Sequence, residues 1–463
     1  MIASAGSGGG KTMICCGLIK VLEKRGFDVR PFKCGPDYID PMYHRMVTGK
    51  EAVNLDTFLA GNSGVRGLVT EAARTERDYK ACAVMEGVMG IYDGKSPASY
   101  EGSSYEIAAI TDTPVILVLD AAGKGRTILS LLKGILADDD RKLIRGLIFN
   151  RMSDGSYESL YPVAQEEIQK TGRDILLIGH IPSDKALKVG SRHLGLVMPG
   201  ETEDLMSGVG RMASLIEDKC DVDMVEAIME GAPALTPAED DKESLWPQKT
   251  VKITGDKTVS LAVARDEAFC FYYHENLKAF EDLGVRIVYF SPLKDSKVPG
   301  GVSGILLGGG YPELHLAGLS ENRSMLSSIG DAINGGMPSL AECGGFMYLH
   351  DVVCDTKGKE YPLCGLVGGR CTYSGHLVNF GYTMIESCKE ESFTGLKGHE
   401  FHYYESSARA EDAHLVKASG KREYEGMIAQ KGCLWGFPHF YYPSALRAVT
   451  EFVKEMRRYA ENT

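Results

Sequence analysis

The chain has 463 residues, 44% hydrophobic and 25% charged, with a net charge of −12; it is long enough for two or three domains with cores of their own and has the composition of an ordinary soluble globular protein. The acidic balance argues against a general nucleic-acid or membrane-surface binder, so a polyanionic ligand would need locally placed cations, and no apolar run approaches the ~18 residues of a membrane span. Twelve cysteines without C-x-x-C pairs or zinc spacing read as reduced thiols, and a cytoplasmic location is expected.

The chain opens on a short apolar strand (1–3) and the glycine-rich stretch ASAGSGGGKT (3–12). Ile14, Leu18, Val21 and Leu22 follow at helical spacing. Gly8, Gly9 and Gly10 let backbone N–H groups turn inward around the phosphates of ATP, with a helix N-terminus behind them. Lys11 would reach the β- and γ-phosphates, and the Thr12 hydroxyl would sit on Mg²⁺. Ala5 stands where the strict phosphate-loop pattern has its first glycine. With a phosphate loop in this position, no signal peptide is expected.

Residues 28–33 read as a second strand, running into KCGPDYIDPMYH (33–44). That run is expected to be a structured loop at a strand end, where α/β sheets bind ligands. Asp37 is a candidate Mg²⁺ carboxylate there, the alternative being a simple turn-former, as for Asp40. ACAVME (81–86) reads as a buried strand ending in an acid, so Glu86 is placed to meet the metal directly or through water. Asp93 lies in the following GVMGIYDG and is a candidate substrate contact. Three more apolar strands, 114–122, 143–152 and 175–182, alternate with helical stretches, which predicts a parallel sheet covered on both faces. Asn150 and Arg151, just past a strand, are placed to touch the nucleotide base, or to form an ordinary loop. Arg192 and His193 in SRHLGL offer two cations as further candidate substrate contacts.

From 233 to 250 prolines and an acidic cluster replace periodicity, predicting a linker between domains 1–232 and 251–463. A fresh α/β pattern follows, with strands at 260–266, 286–290 and 304–310 and a helix at 273–283. The strand at 338–341 breaks at Glu342-Cys343-Gly344-Gly345. A cysteine between strand and helix, followed by two glycines, is a nucleophile elbow: the turn holds the thiol clear of the sheet and the helix N-terminus favours its thiolate. Gly308, Gly309 and Gly310, and Gly344 beside the cysteine, are candidates to offer N–H groups to an oxyanion on a bound glutamine. The base candidates are His399 and His402 in GHEFHYY and His439 in WGFPHFYYPS, with His439 preferred. Tyr441 stands two residues after it, where a carboxylate orienter would be sought.

Together, SAGSGGGKT, FKCGPDYIDPMYH, NLD (54–56), MEGVMGIYDG, SRHLGL, ARDEAFCFYYHEN, GGGYPE and AECGGFMYL resemble the cobyrinate a,c-diamide synthase family over nearly the whole chain. The resemblance implies an α/β architecture: a P-loop, dethiobiotin-synthetase-like parallel-sheet domain followed by a class I glutamine amidotransferase domain. It implies a ligase that activates corrinoid carboxylates with ATP and amidates them with ammonia from glutamine, Cys343 being the nucleophile and His439 the residue that activates it. Ammonia is protonated in bulk water near neutral pH, so a shielded route between the two sites is expected. The implied ligands are cobyrinate or a related tetrapyrrole, glutamine, ATP and Mg²⁺; hydrogenobyrinate and nickel sirohydrochlorin remain alternative rings. A homodimer is left open. A ParA-like regulatory ATPase is the distant alternative, but its loop carries a second lysine where Gly6 and Ser7 stand, and it has no use for a cysteine elbow.

Overall fold

The computed structural model describes residues 1–73, 80–187, 191–192, 195–196, 205–235 and 258–463, with backbone alone for 73, 191–192 and 195–196. It divides into two compact units, Met1–Pro247 and Gln248–Thr463. The expected linker, 233–250, falls for the most part outside the described residues.

In the first unit strands and helices alternate: β1 (Ile2–Ser4), α1 (Lys11–Lys24), β2 (Phe27–Cys34), α2 (Ile39–Thr48), β3 (Val53–Leu55), α3 (Thr57–Ala73) and β4 (Lys80–Glu86). There follow α4 (Ser104–Ile110), β5 (Val115–Asp120), α5 (Thr127–Ala137), β6 (Ile144–Asn150), α6 (Asp154–Lys170) and β7 (Leu176–Ile181). A two-stranded hairpin, β8 (Ser191–Arg192) and β9 (Gly195–Leu196), precedes α7 (Leu205–Lys219) and α8 (Val222–Glu230). Seven strands form one parallel sheet in the order β3-β2-β4-β1-β5-β6-β7. The central strands carry apolar runs, as in the VILVL of β5, the pattern of a parallel sheet covered on both faces. This order sets β2, β4 and β1 side by side, so the chain segments leaving their carboxyl ends converge.

KCGPDYIDPMYH is more ordered than a loop. Lys33 and Cys34 complete β2, a four-residue turn follows, and α2 begins at Ile39. The Asp37 Oδ1 accepts from the Ile39 and Asp40 N–H groups (2.8 and 3.0 Å), which supplies the helix with its start signal. The NLD motif is the brace for this turn. Asn54 donates to the carbonyls of Gly35 and Asp37, and Asp56 caps α3 through the Leu59 N–H.

The second unit contains two sheets. Its first strands and helices are β10 (Ser260–Ala264), α9 (His274–Asp282), β11 (Arg286–Phe290), β12 (Gly304–Leu307), α10 (Leu316–Glu321), α11 (Arg323–Asn334), β13 (Ser339–Glu342) and α12 (Gly344–Tyr348). Then come β14 (Val352–Cys354), β15 (Glu360–Pro362), β16 (Arg370–Cys388), β17 (Lys397–Ser406), β18 (Ala413–Lys417) and β19 (Glu423–Gly426). The chain closes with β20 (Ile428–Gln430), β21 (Cys433–Gly436), β22 (His439–Tyr441) and α13 (Leu446–Asn462). One sheet runs β11-β10-β12-β13-β21-β20, parallel except at its β20 edge. The other, mostly antiparallel, runs β15-β14-β16-β17-β22, with β18 paired onto β16 and β19 onto β18. The sequence reading has the parallel strands but not this second sheet. β13 delivers Cys343 from the first sheet, and β22 delivers His439 from the second.

Candidate active sites

In the first unit the chain leaves β1 at Ser4, turns, and enters α1 at Lys11. Gly10 closes the turn at φ 86°, and a Cβ there would lie 2.3 Å from the Asn150 amide nitrogen, so the position admits glycine alone. That amide donates to the Gly9 carbonyl (2.8 Å), and the Arg151 guanidinium, held by Asp120 (2.7 Å), donates to the Gly8 carbonyl (3.3 Å). Asn150 and Arg151 therefore brace the back of the loop. The Lys11 ammonium is buried and folded over the turn, donating to Ser4 Oγ (2.9 Å) and to the carbonyls of Gly6 (3.1 Å) and Met89 (2.6 Å). Burial and the nearby Lys33 cation draw its pKa down to about 8.

Glu86 ends β4 with no exposed surface. Burial opposes its charge. Lys33, its register partner on β2 (3.2 Å), His44 Nε2 (2.7 Å) and the Thr12 hydroxyl (2.7 Å) outweigh that and hold the carboxyl well below the usual range. Lys33 also pairs with Asp40 (2.6 Å) and donates to the Gly87 carbonyl (3.1 Å). Although burial disfavours the Lys33 ammonium, Asp40, Glu86 and Asp37 together raise its pKa, so Lys33 stays charged. The sequence reading assigns both Thr12 and Glu86 to Mg²⁺ but gives no role to Lys33 and His44, which pair with Glu86, or to Asp40 as the second partner of Lys33. Cys15 also approaches His44 and Glu86, but burial and the Glu86 charge hold its thiol protonated. The donors suited to a hard cation here are therefore oxygens: the Thr12 hydroxyl and the Glu86 carboxylate.

Asp37 has one oxygen engaged in the helix cap. Asp93 Oδ2 accepts from the Gly90 N–H (2.9 Å), bracing the loop that carries Met89. Arg192 is described only as a residue of β8, and His193 lies outside the described residues.

In the second unit Cys343 sits at φ 47°, ψ −102°, a backbone conformation seldom adopted by non-glycine residues. The turn is held by its N–H on the Gly436 carbonyl (2.8 Å) and by the Met347 N–H on its own carbonyl (2.9 Å). Burial, reinforced by Glu313, pushes the thiol up despite a hydrogen bond from the Gly344 N–H. Glycines surround this corner because there is no room for side chains. A Cβ on Gly309 would fall 2.1 Å from His439 Cε1, and one on Gly344 would fall 3.4 Å from the Gly310 nitrogen. The structure thus brings Gly309 against His439, and Gly344 against Gly310.

His439 is 3% exposed, and burial, with His399 and His402 nearby, pulls its imidazole down to about 3. It is accordingly neutral at neutral pH. The other two histidines are engaged elsewhere. His402 has Nδ1 at the Tyr404 carbonyl (2.8 Å) and Nε2 at Glu400 (3.2 Å), and stacks on Phe437 at 4.1 Å. His399 is the register partner of His439 across β17 and β22 and meets Phe380 and Tyr382 edge-on. An acid to which the sequence reading gives no role faces His439: Glu342 Oε2 lies 3.9 Å from its Nδ1.

Comparison with known proteins bears on both units. Residues 1–197 match the CobQ/CobB/MinD/ParA nucleotide binding domain, and residues 260–441 match the CobB/CobQ-like glutamine amidotransferase domain. The cobyrinate a,c-diamide synthase of Caldanaerobacter subterraneus subsp. tengcongensis is 37% identical over 95% of this chain and 94% of its own length. That of Fusobacterium nucleatum is 36% identical over 97% and 99%, and that of Priestia megaterium 34% identical over 99% and 96%. Among the described residues no helix is long and apolar enough to cross a membrane.

Proposed function

The chain belongs to the cobyrinate a,c-diamide synthase family, and from that premise we propose that it amidates the a and c acetate carboxylates of cobyrinate in cobalamin biosynthesis. ATP drives the reaction, and glutamine supplies the nitrogen. The observation that carries this reading is the presence in one chain of a phosphate loop whose Thr12 hydroxyl hydrogen-bonds Glu86 and, in the second unit, of a cysteine elbow and a buried neutral histidine.

A carboxylate is a poor acyl donor because its leaving group would be oxide. Transfer of the γ-phosphoryl group of ATP to a carboxylate oxygen gives an acyl phosphate, which ammonia attacks with loss of phosphate. Phosphoryl transfer depends chiefly on positioning and charge neutralisation. The N–H groups of Gly8, Gly9 and Gly10 cradle the phosphates, and Lys11 exchanges its carbonyl partners for β- and γ-phosphate oxygens. Thr12 and Glu86, with Asp37 as a further carboxylate, hold Mg²⁺. When bound, that ion supplies positive charge against the triphosphate. Lys33 adds a second fixed cation and is kept protonated by Asp40 and Glu86. Asp93, Arg192 and His193 are proposed contacts for the ring.

At the second site the Cys343 thiol is protonated in the ligand-free chain, so attack requires proton transfer to His439. The sulfur bonds to the glutamine amide carbon, and the N–H groups of Gly309, Gly310 and Gly344 receive the developing oxyanion. The C–N bond then breaks, the imidazolium returns its proton to the departing nitrogen, and water hydrolyses the glutamyl thioester.

The ring specificity is tested by supplying cobyrinic acid, hydrogenobyrinic acid and nickel sirohydrochlorin separately with glutamine and MgATP. Cobyrinic acid is expected to gain two amides by mass, with matching ADP release. Turnover of another ring alone would move the substrate assignment and leave the mechanism intact.

A further inference from the structure

We propose that Glu342, the residue immediately preceding the nucleophile, is the carboxylate that positions His439. This rests on the reading of Cys343 and His439 as the glutaminase pair. A buried imidazole needs a partner at Nδ1 to fix its tautomer and ring plane, so that Nε2 faces the thiol and the imidazolium formed after proton transfer has a counter-charge. The residue two positions after His439 is Tyr441, which carries no carboxylate.

Glu342 meets the requirement from the opposite direction. It ends β13 and is 6% exposed; burial pushes its carboxyl up to about 8, and an imidazolium formed 3.9 Å away would draw it back toward the ionised form. Its Oε1 is fixed by two donors from the segment that carries His439: the Tyr442 hydroxyl (2.6 Å) and the Phe440 N–H (3.3 Å). With Oε1 clamped, Oε2 faces His439 Nδ1 at 3.9 Å. A small closure of the elbow on glutamine would bring that contact into hydrogen-bond range, catalytic contacts often being long in ligand-free structures. The neighbouring acid Glu400 is already committed, to Lys417 (2.9 Å), the Tyr424 hydroxyl and His402. Because Glu342 and Cys343 are consecutive, the backbone turn that orients the nucleophile also sets the acid.

A buried acid satisfied by Tyr442 and Phe440 would have a purely structural role, and the test separates the two. Glu342→Gln keeps a carbonyl oxygen for Tyr442 and Phe440 but turns an amide donor toward His439. Glutamine-dependent kcat is expected to fall on the order of 100-fold with KM for glutamine nearly unchanged. Amidation driven by free ammonia is expected to persist, and Glu342→Asp to recover part of the loss. In ¹⁵N NMR of the wild-type chain, His439 is expected as the Nδ1–H tautomer, a readout that requires no variant to fold. Wild-type kcat in Glu342→Gln, equal loss of ammonia-driven and glutamine-driven turnover, or an Nε2–H tautomer would each overturn the inference. Cys343→Ala and His439→Asn run alongside. Retained glutaminase activity in either would sink the underlying pair, whereas loss in both with Glu342→Gln unaffected would sink the role of Glu342 alone.

Discussion

Glu86 is wholly buried and ionised, a combination sustained by Lys33, His44 and Thr12 together. Its replacement by glutamine keeps the shape but leaves the Lys33 ammonium with less counter-charge. Removing one member of a buried ion pair costs about 3–5 kcal/mol. Glu86→Gln is therefore expected to lower the thermal midpoint of the first unit and to abolish ATP-dependent amidation with glutamine and with ammonia alike. A variant with normal stability and turnover would remove Glu86 from the metal site. A second residue-scale consequence concerns His439, whose folded pKa of about 3 lies below the ordinary 6.5. Between those values the unfolded chain binds a proton that the folded chain does not. That contribution to stability rises with pH across the window and is lost as pH falls through it. Compared with wild type, His439→Gln is expected to show a shallower loss of stability between pH 6.5 and 4 in denaturant melts. Equal slopes would mean that the imidazole is solvated.

The elements proposed to carry the chemistry are two strand-to-helix turns, and as turns both were legible because each is a contiguous string: GGGKT before α1, and ECGG before α12. Their partners were less legible. Lys33 and Glu86 are 53 positions apart and meet only because β2 lies beside β4 in the sheet order. Glu342 was visible in the elbow itself, but its contact closes between β13 and β22, which local spacing cannot express. The second sheet was hidden for another reason. Along β17 the buried positions are Gly398, Glu400, His402 and Tyr404, while His399, Phe401 and Tyr403 are only partly covered. The hydrophobic alternation is inverted, so a pattern reading finds no conventional strand. The glycine strip after β12 yields a prediction at this scale. Gly309→Ala drives a methyl into the His439 ring, and a misplacement of ~1 Å near the reacting groups can cost about 10²-fold. Glutaminase activity is expected to fall by that order while ammonia-driven amidation continues; loss of both would show that the substitution acts through folding.

At the scale of the whole molecule, the phosphate loop, Glu86 and Cys343 each stand at the carboxyl end of a parallel strand, where the loops of α/β folds are free to vary. His439 instead opens a strand of the mostly antiparallel sheet. A net charge of −12 would repel ATP and a polycarboxylate from most of the surface. Lys11 at the phosphate loop and Lys33 at the end of β2 are buried cations, the latter paired with Asp40 and Glu86. The two chemistries need each other in one direction only. Phosphoryl transfer and amide formation can proceed with any ammonia, whereas hydrolysis of glutamine serves only to provide it.

That asymmetry sets the most direct measurement: product mass and ADP release with cobyrinic acid, with glutamine and ammonium chloride supplied in turn, for wild type, Cys343→Ala and Lys11→Ala. Wild type is expected to add two amides from either source, Cys343→Ala from ammonia alone, and Lys11→Ala from neither. Glutamine-driven product from Cys343→Ala, or ammonia-driven product from Lys11→Ala at the wild-type rate, would contradict the division of labour between the two sites.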